Sequence, residues 1–380
     1  MSEESLATNP RDKIYGVMGL ANASANKNIV VDYDKPVEDL YEEASRYLIF
    51  EEGNLSLLSN QSVNMTRNST DAEAKAYHEF TLSWGANVSS SWIRDFGHIR
   101  AATHRPDPLV RNLDYRCMKY NASLNTRSTP HPEQKKKVLS IAGTKVGLVN
   151  DHVRAWYEYQ GKIQWFRDIK GALDVFLRAG HPASEVDGEG PSVESSKITE
   201  TAVDSEGKEA HLVYSPKGGP NKPMREAIWR TFVGDKSSDS LDPAPGYYEV
   251  FFGGLLDAER GNANPKVSIP DDAFPPGESE LEHWNSFLKR LHSMIYRRAA
   301  FSTEEGWIGF GPDTMRNGDV IAVLSGGDVP FVLRPTQDGY TLIGECYVEG
   351  IMYGEMVRAQ LETRSVDGQR GIKGEIFHIR

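Results

Sequence analysis

The sequence predicts an α+β protein in which a helical body precedes a C-terminal β meander or small curled barrel. The first observation is a helical repeat at 280–298, where apolar residues recur every three or four positions. These positions are Leu281, Trp284, Leu288, Leu291 and Ile295. The second observation is residues 306–354, where short β-branched runs alternate with glycine-containing turns, as they do in antiparallel hairpins.

The 380 residues are enough for two packed regions, at a soft prior of about 150 residues for each domain. We expect a mixed N-terminal region at 1–135 and an α+β C-terminal region at 136–380. The second region is expected to contain irregular insertions near 181–222 and 235–278, because glycine, proline, serine and charged residues dominate there. The β meander is placed near 306–379.

Three elements are expected in the N-terminal region. Residues 12–20 form a short apolar element, and residues 28–33 form an extended run rich in β-branched side chains. A helix follows from Pro36, because the fixed φ of proline suits the first helical turn. Its buried face is expected at Val37, Leu40, Tyr41, Ala44 and Leu48.

The middle of the chain begins with a β pattern. Residues 138–149 predict a strand pair or one bent strand, because β-branched residues alternate there with glycines that mark bends. A long helical region is expected next, with Asn150 or Asp151 as its N-cap and apolar positions continuing to Leu177. A short amphipathic helix is predicted at 224–233, immediately before a glycine.

The C-terminal meander is predicted from three β-rich runs, at 319–324, 329–333 and 340–348. Gly326 and Gly327 lie in the turn between the first two runs. Pro330 and Pro335 lack the N–H group that a strand donates to its neighbour. Bulged or edge positions are therefore expected, which favours a meander that curls toward a small barrel.

The charge balance and cysteine content limit the function classes. A formal net charge of -11 argues against a broad nucleic-acid surface, which needs clustered lysine and arginine. The run Lys135 to Lys137 is interpreted as a solvated face. Cys117 and Cys346 fit free thiols in a reducing compartment, so we expect the cytoplasm. No apolar run of about 18 residues is present, so no membrane partner is expected.

The segment 309–312 (GFGP) superficially resembles a loop that binds phosphate. The full G-x-G-x-x-G spacing is absent, no Gly-Lys-Ser/Thr follows, and Pro312 has no N–H to donate. We therefore predict a turn at this segment. No small-molecule ligand is identified.

No combination of side chains in the sequence predicts an active site. Cys346 follows Glu345 directly, and adjacent strand residues point to opposite faces, so a structural role is predicted for this thiol. The H-E-x-x-H metal motif and the G-x-S-x-G nucleophile motif are both absent from the sequence. The sequence thus assigns no catalytic, cofactor-binding or metal-binding residue, and no cofactor.

Several blocks in one order resemble the fungal heterokaryon-incompatibility proteins, the HET-domain family. Residues 9–20 (NPRDKIYGVMGL) are similar to the family's D-P-R-D-K-[VI]-Y-A-L-L-G-L block. Residues 228–235 (IWRTFVGD) are similar to its F-W-R-T-L-[IV]-G-D block. Further similar blocks lie at 91–96 (SWIRDF, with Arg94 in place of proline), 329–334 (VPFVLR) and 340–354 (YTLIGECYVEGIMYG). Together they cover the region that lies C-terminal to the HET domain in the family.

The resemblance implies a role in non-self recognition after hyphal fusion, with programmed cell death as the output. In the family, the HET domain precedes the block at 9–20, and the sequence has only eight residues before that block. We therefore expect the HET domain to be missing from this chain. What is left is expected to be a non-catalytic regulatory or recognition portion, whose partners are proteins, with a HET-domain homologue as one candidate.

Two other functions stay open. A cryptic hydrolase or nucleotide-processing enzyme would bring titratable residues with shifted pKa values together in a concave site. Asp319, Glu345 or Glu355 beside a histidine or arginine would be such a combination. A structural remnant without a selected activity is the third possibility.

Overall fold

The computed structural model describes most of the chain in separate ranges. These are 8–18, 29–59, 90–96, 109, 120–132, 134–154, 158–159, 162–163, 166–179, 202–203, 209–210, 213–237, 243–259, 279–359 and 374–380. The greater part of the predicted insertion near 181–222 lies outside these ranges, and so does Cys117.

Helices and strands both occur along the described ranges, which confirms the α+β class. The helices are α1 Asp12–Met18, α2 Val37–Glu52, α3 Ser56–Ser59, α4 Phe166–Ala179, α5 Met224–Val233, α6 Tyr248–Glu259 and α7 Glu280–Ile295. The first seven strands are β1 Leu139–Arg154, β2 Glu158–Tyr159, β3 Lys162–Ile163, β4 Ala202–Val203, β5 Glu209–Ala210, β6 Val213–Tyr214 and β7 Lys222–Pro223. The others are β8 Arg298–Thr303, β9 Ile308–Pro312, β10 Val320–Leu324, β11 Phe331–Thr336, β12 Gly339–Glu345, β13 Tyr347–Val348 and β14 Glu375–Ile379.

The C-terminal strands form a closed, mixed barrel of five strands. The neighbours run in the order β10, β11, β12, β14 and β1, and a further pairing of β1 with β10 closes the ring. The pairs are antiparallel except for β12 with β14, which is parallel. The predicted small curled barrel is therefore confirmed, whereas the helical body stays a prediction. Closure removes the unpaired edges that an open sheet would expose.

Strand β1 is one long bent strand that belongs to two layers of pairing. Its first half pairs with β10 and β14 in the barrel, and its second half pairs with β8. The register shifts between Lys145 and Gly147 and again between Val149 and Asp151, as expected where a strand bends. Strands β9 and β13 extend this second layer.

The predicted helix start at Asn150 or Asp151 is wrong. The strand continues to Arg154, because β8 supplies hydrogen-bonding partners for its backbone. The helix begins only at Phe166. The residues of β8 that pair with the end of β1 lie almost 150 positions away in the sequence. The sequence around Arg154 therefore does not indicate that the strand continues.

Helix α7 confirms the clearest helical prediction, but its buried face is rotated from the predicted one. Leu291 and Ile295 are buried as predicted, whereas Leu281 is 67% exposed. The first turn projects beyond the packed surface and is held instead by a capping box between Ser279 and Glu282. The S-x-x-E spacing of that box was readable in the sequence.

Helix α5 has the predicted bounds and lies at the centre of an aromatic cluster. The ring of Phe232 is centred 5.7 Å from Phe176, 5.1 Å from Phe252 and 5.3 Å from Phe310. These contacts join α4, α5 and α6 to β9. Helix α6 itself lies within the predicted irregular insertion near 235–278. Its apolar run appears irregular in sequence because glycines interrupt it, yet packing against α5 and α7 stabilises the helix.

The N-terminal helix α2 also follows the prediction closely. Four of its five predicted core positions are buried, and only Leu48 is half-buried while its neighbour Ile49 is fully buried. The segment 28–33 is described from residue 29 onward and forms no strand.

Segments from the N-terminal region dock on the turn between β10 and β11. The Leu55 N–H donates to the Gly326 carbonyl at 2.8 Å, and the Ser123 N–H donates to the Gly327 carbonyl at 3.1 Å. These backbone bonds tie the described parts of 1–135 to the barrel. The division into two regions at residue 135 stays a prediction.

Candidate functional site

The glycine segment 309–312 is part of strand β9, so the predicted turn is wrong. Gly309 and Gly311 alternate along the strand and permit close contacts on one face. A Cβ atom on Gly309 would lie 2.0 Å from the Tyr347 carbonyl oxygen, and one on Gly311 would lie 3.0 Å from Met315 Sδ. The glycines therefore allow close packing of backbone rather than ligand binding.

Asp319 is buried and makes a two-pronged ion pair with Arg334. The Nε and Nη2 atoms of Arg334 donate to Oδ1 and Oδ2 of Asp319, each at 2.9 Å. Oδ2 also accepts from the Arg316 N–H at 2.8 Å. Both carboxylate oxygens thus have donors, and the pair fixes the entry of β10 against β11.

Glu345 lies beside Arg298, which is 2% exposed. The Arg298 Nη2 atom lies 3.7 Å from Glu345 Oε1, and the same oxygen accepts from the Leu109 N–H. Arg298 Nη1 also donates to the Ser293 carbonyl at 2.6 Å, near the end of α7. This group of side chains therefore joins α7 and β8 to β12.

The next residue, Cys346, is fully buried. Burial raises the pKa of its thiol well above the usual value, and the charge of Glu345 raises it further. The group is therefore a neutral thiol near pH 7, which is a far weaker nucleophile than a thiolate. Glu355 is not part of this cluster, and its Oε2 accepts from the Tyr353 N–H at 2.8 Å.

A second polar cluster surrounds the buried Glu349, and we call it the Glu349 cluster. Lys222 Nζ lies 2.7 Å from Glu349 Oε1, and the Tyr347 hydroxyl donates to Oε2 at 2.6 Å. The Tyr214 hydroxyl donates to the Glu349 carbonyl at 3.0 Å. Sequence reasoning missed the cluster because Lys222 and Glu349 are 127 residues apart in the chain.

Burial governs the electrostatics of the Glu349 cluster. Desolvation raises the pKa of Glu349, and the ammonium group of Lys222 opposes that shift. Burial also raises the pKa of Tyr347 well above its usual value, with a further contribution from the charge of Glu349. The Glu349 side chain is only 3% exposed, so the cluster offers little access to a substrate.

Replacing Glu349 with glutamine is expected to flatten the dependence of stability on pH. A carboxyl group whose pKa is raised by folding stabilises the fold most below its unfolded pKa, and that contribution is lost as pH rises through the folded pKa. The free energy of unfolding of the wild type should therefore fall more steeply than that of Glu349→Gln as the pH rises above the ordinary glutamate pKa of 4.5. Urea denaturation at several pH values measures this difference.

Asp235 shares part of this pH dependence, because burial raises its pKa in spite of Arg230. The pH dependence of stability that Asp235 causes should remain in the Glu349→Gln variant. Asp338→Asn is a suitable control, since Asp338 is 70% exposed and pairs only with the exposed Arg380. Equal slopes for wild type and Glu349→Gln would contradict the prediction.

An open surface cleft of about 590 Å³ lies between α2 and residues 130–136. Ion pairs join or flank its walls, with Lys136 Nζ 2.9 Å from Asp39 Oδ2 and Lys35 Nζ 2.6 Å from Glu43 Oε2. The lysine run that was predicted as a solvated face contributes Lys135 and Lys136 to the lining of the cleft. Lys136 is 65% exposed. Such exposed pairs contribute little to stability.

Arg46 is the main link between the two walls of the cleft. It pairs with Glu42 at 2.9 Å and donates to the carbonyls of Lys135 and Val138 at 2.7 and 2.9 Å. Its guanidinium group also lies over the Trp92 ring, 4.7 Å from the centroid. The cleft is therefore a mixed-charge surface whose two walls are joined by Arg46.

Two kinds of functional element are absent from the described ranges. They contain no group of three or more His, Cys, Asp or Glu residues placed to hold a metal ion. Their helices are also too short or too polar to cross a lipid bilayer.

Comparison with known proteins gives a family match over the C-terminal part of the chain. Residues 279–365 match the Het-6 β-barrel domain. That range contains α7 and strands β8 to β13, whereas the barrel strands β1 and β14 lie outside it. The barrel in this protein is thus completed by segments on both sides of the matched range.

A curated relative extends the similarity to most of the chain. Heterokaryon incompatibility protein 6, OR allele, of Neurospora crassa is 22% identical over 388 residues, which include 92% of this chain and 49% of the relative. The chain therefore spans about half the length of that relative. No solved structure matches significantly. The domain match and the long alignment agree with the sequence blocks, and together they support a fungal HET-family protein with a Het-6 β-barrel domain.

Proposed function

We propose that this chain is a non-catalytic recognition or regulatory portion of a fungal heterokaryon-incompatibility system. It acts in non-self recognition, and programmed cell death is the output to which it is coupled. The observation that carries the proposal is the alignment along 92% of the chain to a heterokaryon incompatibility protein, together with the Het-6 β-barrel match.

Asp319 and Glu345 do lie beside arginines, the combination named above for an enzyme, but their burial favours a non-catalytic role. Asp319 is paired with Arg334, Glu345 lies beside Arg298, and Glu349 is paired with Lys222. A catalytic acid or base needs a reacting group within hydrogen-bonding reach, usually in a concave site. These carboxylates are instead directed into contacts between strands and helices.

Protein partners are the class that the surface favours, and a HET-domain homologue is one candidate. The net charge of -11 disfavours a nucleic-acid partner. The cleft beside α2 offers a surface of mixed charge for such a protein. We place this interaction in the cytoplasm, where the thiol of Cys346 would remain reduced.

Expression in a fungal host tests this function. The chain is expressed alone and also fused behind an intact HET domain, and viability is measured. We expect normal growth with the chain alone and loss of viability with the fusion. Strong toxicity of the chain alone would overturn the non-catalytic role. A fusion as harmless as the chain alone would overturn the link to cell death.

A cryptic hydrolase or nucleotide-processing enzyme is the second candidate. Its specific support is the raised pKa of Glu349 beside Lys222. The purified chain can be assayed with nucleoside triphosphates and with activated esters. Turnover that Glu349→Gln abolishes, while its unfolding transition stays intact, would favour the enzyme over the recognition role.

A further inference from the structure

Large apolar side chains are exposed together in one short segment near the N-terminus. Val30, Val31 and Tyr33 are 66%, 56% and 52% exposed. The described ranges contain seven large hydrophobic residues with such exposure, so three of the seven lie within four positions. Clustered exposed apolar groups mark interaction sites, whereas single ones are ordinary. We call residues 29–34 the docking segment.

The docking segment is held firmly from one side. The Tyr15 hydroxyl donates to the Asp32 carbonyl at 2.8 Å and lies 3.1 Å from the Asp32 N–H, which donates to it. The Tyr33 hydroxyl donates to Asp12 Oδ1 at 2.6 Å. The rings of Tyr15 and Tyr33 also make an edge contact, with centroids 5.3 Å apart. A fixed backbone lowers the entropy lost when a partner binds.

The backbone of the docking segment has groups available for pairing. No hydrogen bond joins the N–H or C=O of Val30 or Val31 to another described residue. Residues 30–32 lie in no helix, strand or turn, and a segment with unpaired backbone groups can accept an added strand, with hydrogen bonds giving affinity and side chains giving selectivity. The occupant is therefore expected to be extended over these positions.

The charges of the docking segment define the chemistry of its occupant. Asp32 and Asp34 are exposed and the segment itself contains no cation. The neighbouring Lys35 pairs with Glu43 at 2.6 Å, and its charge acts more weakly on Asp32. A second copy of this segment would bring aspartates near aspartates, which is unfavourable. Lysine or arginine in the occupant would instead complement them.

We propose that residues 29–34 form a docking edge for an extended, basic and apolar segment of a protein partner. The proposal rests on the recognition role proposed above and specifies how the partner binds. Valine or a similar residue of the partner would contact Val30 and Val31, and its cationic side chains would lie near Asp32 and Asp34.

A labelled hexapeptide of alternating lysine and valine is the probe, titrated with the full chain and followed by fluorescence anisotropy. We expect saturable binding that weakens as salt is added, because exposed charge pairs are screened. Two control peptides should fail to bind. One has glutamate in place of lysine, and the other has N-methyl groups on alternate amides, which removes the donors of one peptide edge.

Variants of the protein locate the binding site. Val31→Ser should lower the affinity for the peptide about tenfold, as expected when the burial of a valine side chain is lost. Leu281→Ser is the matched control, because Leu281 is also an exposed large apolar residue, at 67% against 56% for Val31, but lies on α7. Its affinity for the peptide should stay within about twofold of the wild-type value. Urea midpoints equal to that of the wild type would show that both variants remain folded.

Three outcomes would overturn the docking edge. Equal binding of all three peptides would do so, and so would an equal loss of affinity in Val31→Ser and Leu281→Ser. A concentration-dependent dimer that Val31→Ser abolishes would assign the segment to a second copy of the chain. These results are independent of fungal viability, so the docking edge can fail while the proposed function stands, and the reverse also holds.

Discussion

Replacing Gly309 with alanine is expected to destabilise the protein by about 3 kcal/mol, as overpacking against a rigid neighbour does. The added Cβ would lie 2.0 Å from the Tyr347 carbonyl oxygen, which is backbone and cannot rotate away. Relief requires that β9 and β13 separate, and their pairing consists of Tyr347 with Phe310 and Val348 with Gly309. Urea denaturation of the purified variant measures the change in unfolding free energy.

Gly16→Ala is the matched control for this substitution. Gly16 lies in helix α1, and a Cβ there would meet no atom within 4 Å. Alanine should be neutral at this position or stabilise the protein by up to about 1 kcal/mol through its helix propensity. If both alanine variants shift the unfolding transition equally, the close approach at Gly309 is not what limits that position.

Replacing Phe377 with alanine is expected to cost about 3 to 5 kcal/mol, the usual range for a buried phenylalanine. Phe377 is fully buried in β14, where it lies opposite Ile141 of β1. Its ring is centred 5.3 Å from that of Tyr340 on β12. The substitution therefore removes contacts on both sides of the strand that closes the barrel.

The adjacent residue Ile376 provides the control on the same strand. It is 36% exposed, so Ile376→Ala should cost less than about 1 kcal/mol. If Phe377→Ala costs no more than Ile376→Ala, β14 does not complete the barrel. A large difference would establish that the barrel extends beyond the range 279–365 matched by the Het-6 β-barrel domain.

The sequence predicted those helices and strands whose apolar pattern is long and regular. Helices α5 and α7 were predicted within a few residues, because their apolar periodicity is local. The barrel strands were predicted from turn glycines and β-branched runs for the same reason. The continuation of β1 to Arg154 was not predicted, since the pairing with β8 that maintains it is distant in sequence.

The candidate sites were less predictable than the fold. The Glu349 cluster and the links made by Arg46 join residues 127 and about 90 positions apart, so no spacing in the sequence marks them. The alternation of Gly309 and Gly311 was visible, but it was interpreted as a turn. Only the positions of Tyr347, beside Gly309, and Met315, beside Gly311, explain why small residues are required there.

The sequence by itself determined the α+β class, the local helices, the curl of the C-terminal strands and the resemblance to the HET family. Each of these depends on residues that lie close together in the chain, or on short blocks in a fixed order. Tertiary structure alone decided how β1 and β14 close the barrel, which carboxylates are paired, and that Val30 and Val31 are exposed. Those features depend on contacts between distant segments, which periodicity and local propensity do not specify.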